Sequence, residues 1–110
     1  NVMLVVQNIL LTKMICKEHI GQGKQILVIC DEEIHKKKIQ DNDLVLDLTS
    51  SFYDGEFIKE EIIKLKLSKF YIIHAVGVKS VNFLLLNKLT NEKEIKKINN
   101  VPYVHIVLSS

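Results

Sequence analysis

At 110 residues with 47% apolar content, the chain is sized for one domain built on one hydrophobic core, and a second independent core is excluded. A net charge of +2 is too small by itself to point to a nucleic-acid binder, and two cysteines exclude a metal site made of cysteines alone. The apolar run over residues 2–11 is too short to span a bilayer and lacks the basic head and cleavage site of a signal peptide, so a cytoplasmic protein without membrane association is expected.

Residues 2–12 are compatible with strand or helix and are read as a strand. Residues 14–19 and 24–30 flank I-G-Q-G, in which Gly21 and Gly23 supply the positive-φ positions of a tight hairpin. In the second strand Ile26, Val28 and Cys30 take one face and Leu27 and Ile29 the other; apolar residues on both faces place it inside the sheet. Cys16 and Cys30 fall on neighbouring strands, which leaves a disulfide open, although buried free thiols suit an intracellular chain.

The segment D-E-E-I-H-K-K-K-I-Q-D-N-D, from position 31, reads as a short helical turn capped by Asp31. Glu32 and Glu33 sit at its positive end, with Lys36, Lys37 and Lys38 at its negative end. Residues 44–48 are a third strand, with Leu44, Leu46 and Leu48 toward the core and Asp43, Val45 and Asp47 on an outer face. After a loop over 49–55, a helix over 59–67 is predicted with Ile58, Ile62 and Leu65 as its stripe.

Residues 70–76 are almost wholly apolar, as a central parallel strand would be. Gly77 then opens a second helix with the stripe Val78, Val81, Leu85 and Leu89. Asn91 with Glu94 has the form of a capping box, so residues 95–98 are a helical turn or a short strand. Asn99-Asn100 is a turn, and the last strand, 104–108, is entered through Val101, Pro102 and Tyr103, with the proline confined to its start or to an edge. The pattern predicts a single α/β domain, bordering on α+β, with a mixed sheet: an N-terminal β-hairpin followed by β-α-β-α-β.

Charge is unevenly spread, at +2 over residues 1–30, −6 over 31–61 and +6 over 62–110. All fifteen cations are Lys, so any nucleic acid is held by point charges and shape rather than by a guanidinium fork. In the loop, Thr49, Ser50 and Ser51 offer hydroxyls at the end of a strand, and Phe52 and Tyr53 offer stacking surfaces. The competing reading gives the hydroxyls local turn bonds, anchors Phe52 in the core and leaves Tyr53 at the rim. Gly77, Lys79 and Ser80 form a candidate anion site at a helix start, with close helix–strand packing as the competing explanation of Gly77. Ser51, His74 and Asp47, or Cys30 with His105, can be assembled on paper, but the spacings contain no nucleophile elbow, metal-ligand pair or C-x-x-C. No catalytic residue, metal or cofactor is therefore assigned.

The blocks C-D-E-E from Cys30, D-L-V-L-D-L from Asp43, S-F-Y-D-G-E from Ser51, A-V-G from Ala75 and V-P-Y from Val101 resemble the archaeal domain-of-unknown-function family 424. The likeness covers position 14 to the end, and the S-F-Y-x-G-E block is its most specific part. Residues 1–13 lie outside it and read as an extension that adds an edge strand or a dimer contact, unless Met14 is the start. The chain departs from the family pattern at Asp54, where a second glycine is usual. It departs again at V-K-S after Gly77, where a Glu-Arg pair is usual, and at Asn99-Asn100, where Gly-Gly is usual. The resemblance implies a small archaeal protein without established activity, loosely associated with translation and sometimes described as an RNA binder.

The expected function is non-catalytic binding of ribosomal RNA, tRNA or a ribonucleoprotein. Lys36, Lys37, Lys38, Lys79, Lys93, Lys96 and Lys97 would attract phosphate, and Phe52 and Tyr53 would make an aromatic contact, with Ser51 beside them in the binding surface. Two alternatives stand beside it: a protein–protein adaptor using a sheet edge or the apolar N-terminus, a homodimer included, and a small nucleotide-binding module or enzyme.

Overall fold

The computed structural model describes residues 13–108; the strand expected over 2–12 lies outside them. The strands are β1 (Lys13–Gly21), β2 (Lys24–Cys30), β3 (Lys38–Asp41), β4 (Leu44–Asp47), β5 (Glu56–Lys59), β6 (Ile72–Val76), β7 (Lys96–Ile98) and β8 (Val101–Val107). Two helices, α1 (Glu60–Lys66) and α2 (Val78–Leu86), flank β6 in the chain. Six strands form one mixed sheet in the order β5-β1-β2-β6-β8-β7, and β3 and β4 form a separate hairpin. Within the large sheet β6 runs parallel to β2 and every other pair is antiparallel.

The two-sided apolar pattern of β2 and β6 has the expected consequence. Both are interior strands, and the sheet separates two hydrophobic layers. On one side Leu27, Ile29, Ile73, Ala75, Val104 and Ile106 pack against Ile63 of α1 and Val81, Phe83 and Leu84 of α2. On the other, Val28, Cys30, Val76 and Ile98 pack against Ile39, Leu48 and Tyr53. Each buried aliphatic chain contributes roughly 1.5–3 kcal/mol, so both layers are needed to offset the entropy of ordering a chain this short.

Several local expectations are corrected. Gly21 is not the left-handed residue of the first turn: it pairs with Lys24, and Gln22 (φ 53°) and Gly23 (φ 75°) form the two-residue connection. Residues 38–41 are a strand, because Asn42 (φ 52°) closes a hairpin that pairs Ile39 with Leu46. Only Leu46 and Leu48 of the third predicted strand reach the core; Leu44, paired with Asp41 beside the Asn42 turn, is exposed, and Val45 is exposed on the outer face as expected.

Residues 56–59 are β5 rather than an approach to a helix. Gly55 lies so close to the Cys16 carbonyl that a Cβ would collide with it, and this approach sets Glu56 opposite Cys16. Pairing with β1 then decides the conformation over helical spacing. With Ile58 committed to β5, the helical period does not start there. Ile63 is the buried residue of α1, while Ile62 is exposed and Leu65 is 84% exposed. In α2 the buried residues are Ser80, Val81, Phe83 and Leu84, and Val78 faces solvent.

Residues 96–98 are a strand, joined to β8 through Asn99 (φ 48°) and Asn100 (φ 69°). Pro102 is the second residue of β8, and its carbonyl accepts from Gly77 N at 2.8 Å. Both cysteines are free and buried, Cys16 in the helix-side layer and Cys30 in the opposite one, so they point away from each other and no disulfide links them. Among the described residues no helix is long and apolar enough to cross a membrane.

Candidate nucleic-acid interface

The loop between β4 and β5 is built from short-range bonds. Asp47 Oδ1 accepts from Thr49 N at 3.0 Å and from the Thr49 hydroxyl, and Ser50 Oγ accepts from Phe52 N at 3.2 Å. These bonds wind Ser51–Tyr53 into a single 3-10 turn. The hydroxyls of Thr49 and Ser50 are thus spent locally, as the competing reading expected, while its placement of the aromatics is reversed. Tyr53 is 8% exposed and belongs to the core, whereas Phe52 is 37% exposed.

All four histidines of the chain converge on this turn and its neighbours. His19 Nε2 lies 3.0 Å from the Phe52 carbonyl and His35 Nε2 3.0 Å from the Tyr53 carbonyl; since a carbonyl only accepts, both rings donate. His35 is also 3.8 Å from Asp54 Oδ1. The Tyr53 hydroxyl is 3.0 Å from His74 Nε2. Phe52 lies flat on His19, with centroids 4.6 Å apart and planes 7° apart, and meets His74 in an edge-to-face arrangement at 6.0 Å. His74 in turn faces His105 at 5.7 Å. Four rings from β1, the turn, β6 and β8 therefore form one continuous set across the sheet.

Pairing register shows what surrounds them. Lys17, Val28, His74 and His105 stand side by side on β1, β2, β6 and β8, and His19, Ile26, Ile72 and Val107 form the next row. The β3–β4 hairpin and the 3-10 turn cover the end of this face nearest Cys30 and Val76. His105 and Val107, at the other end, are exposed. Across these four strands the described residues of this face include Lys17, Lys24 and three histidines and no carboxylate.

Burial, reinforced by neighbouring His105, pushes His74 down to about 4, so its ring is neutral near pH 7. Burial raises Tyr53, and it pushes Cys30 and Cys16 up to about 12, leaving both thiols protonated and unreactive. The constellation of Ser51, His74 and Asp47 is not assembled: the Nε2 of His74 meets Tyr53 and Asp47 is bonded to Thr49. Among the described residues no group of three or more His, Cys, Asp or Glu side chains could hold a metal ion.

The start of α2 binds an anion that the chain itself supplies. Asp31 does not cap its own turn; its carboxylate reaches across to accept from Lys79 N (2.9 Å), Ser80 N (2.8 Å) and Ser80 Oγ (2.7 Å). Gly77, at φ 107°, passes so close that a Cβ would collide with this carboxylate. An external anion at Gly77, Lys79 and Ser80 would have to displace Asp31, which is only 6% exposed. Lys79 Nζ is paired with Glu33.

The remaining predicted lysines lie at another edge. Lys36, Lys37 and Lys38 lead into β3, while Lys93, Lys96 and Lys97 belong to the turn before β7 and to β7 itself; all six are exposed. Because β3 and β4 lie beside β7, these two groups occupy adjoining elements. The sequence reading missed Lys17, His19, Lys24, His74 and His105 as companions of Phe52. Their signal was the alternation Ile15, Lys17, His19 in β1, which assigns one face only once the pairing partners are known.

A family model described as "Protein of unknown function (DUF424)" matches residues 18–108. A solved structure, described as an uncharacterized conserved protein from Methanopyrus kandleri, superposes with a TM-score of 0.72 at 20% identity. The match covers 86% of this chain and 90% of that one, and at this identity the likeness is one of fold. Comparison with the curated proteins gave no match.

Proposed function

This chain belongs to the DUF424 family of proteins of unknown function, and from the character of its open sheet face we propose that it binds RNA, free or within a ribonucleoprotein of the translation machinery, without catalysing a reaction. The observation that carries this reading is the part of the sheet where Lys17, His19 and His105 stand without a carboxylate among the described residues of that face, beside the exposed Phe52 ring. Such a surface attracts a polyanion and offers it flat contacts. The lysines flanking β3 and β7 extend the attraction along one side.

The test is fluorescence anisotropy of a labelled RNA against salt concentration. Binding is expected to weaken linearly on a log–log plot, with a slope of about 0.7 per phosphate neutralised on a single strand. Charge reversal in Lys17→Glu/Lys24→Glu should flatten the slope. Absence of RNA binding at low salt, or binding that ignores salt, would remove the reading.

A further inference from the structure

Attraction of phosphate requires no aromatic ring at the surface, yet the turn holds one there under tight restraint. The carbonyls of Phe52 and Tyr53 are each bonded to a histidine, and the Tyr53 hydroxyl meets a third. Parallel stacking on His19 at 4.6 Å then sets the plane of the Phe52 ring. A surface ring with no role would be free to rotate; this one is pre-positioned, which lowers the entropic cost of binding a flat ligand.

We infer that the Phe52–His19 stack, at the open end of the sheet, is a seat for an unpaired nucleobase, and that the preferred ligand is single-stranded RNA. This rests on the RNA-binding reading above and narrows it. The occupant is argued from charge and shape together. Lys17 on the same face supplies a phosphate contact, with Lys24, whose ammonium lies over the Tyr71 ring, at the end of β2, and His105 and Val107 give the neighbouring base a flat and partly apolar floor. A duplex keeps the faces of its bases covered by their neighbours and cannot use an exposed ring, so the stack discriminates by strandedness rather than by sequence. Tyr53 takes no part in the contact, because its hydroxyl and carbonyl hold the turn.

The experiment compares wild-type protein, Phe52→Leu and Phe52→Tyr on a single-stranded oligoribonucleotide carrying 2-aminopurine and on its duplex. Leu keeps apolar bulk against His19, so the turn folds while the π-face is lost. Wild type is expected to favour the single strand and to quench the fluorescent base on binding. Phe52→Leu should bind about five- to a hundredfold more weakly without quenching, and Phe52→Tyr should restore both. The inference is overturned, with RNA binding itself left standing, by equal affinity for the duplex, by undiminished binding and quenching in Phe52→Leu, or by binding without quenching in wild type. Failure of wild type to bind either RNA at low salt, or self-association through this face in place of RNA binding, would remove the RNA reading and the inference together.

Discussion

Asp31 joins two segments that lie 48 and 49 positions apart in the chain, and its carboxylate carries three donors in a site closed to water. Asp31→Ala leaves the Lys79 and Ser80 amides without a partner, and the expected loss is about 2–4 kcal/mol, read as a lower urea midpoint at unchanged slope. The sequence shows Asp31 as an N-cap, and it is one, but of a helix far away. Capping rules weigh only the local neighbourhood, so the residue type was legible and its partner was not.

His74 sets a second residue-scale expectation. Its folded value of about 4 lies below the ordinary 6.5, so the folded chain resists a proton that the unfolded chain accepts. The stability held by neutral His74 is fully present above about 6.5 and is lost as pH falls toward about 4, by of the order of 3 kcal/mol in all. Urea midpoints measured across that window should fall for wild type and stay flatter for His74→Gln; parallel curves for the two would contradict this.

At the scale of elements, Gly77 and the start of α2 act as one unit with the segment that follows β2. Gly77→Ala forces a side chain into the Asp31 carboxylate at a backbone angle that favours glycine, so it should unseat the same bonds that Asp31→Ala removes. The two losses are therefore expected to fall well short of additive in a double-mutant cycle, by about 1 kcal/mol or more; simple addition would mean that Gly77 acts independently. The interior strands β2 and β6 were legible because five consecutive apolar residues in the one, and six apolar residues of seven over 70–76 in the other, leave few alternatives. The short strands β3, β5 and β7, of four, four and three residues, were not. A period of two cannot declare itself over so few positions, and Gly55 against Cys16 and the Asn42 turn settle them through tertiary pairing.

For the molecule as a whole, the S-F-Y-D-G-E block has a structural account at its last four positions. Tyr53 ties the turn to His74, Asp54 lies beside His35, Gly55 lets the chain pass β1 and Glu56 begins β5. Phe52 is the large side chain left facing solvent. The candidate surface was thus half visible in the sequence: the aromatic pair could be named, but which member is buried depends on His74, twenty-one positions away. The histidines and lysines that complete the face come from β1, β2, β6 and β8, whose register no local pattern supplies.

Whether that face binds RNA is decided by backbone amide chemical shifts recorded by NMR during titration with single-stranded RNA. The shifts should move at His19, Phe52, Ile72, His105 and Val107 and stay still along α1 and α2. Shifts concentrated on the helical layer, or none on the open end of the sheet when RNA is bound, would contradict it.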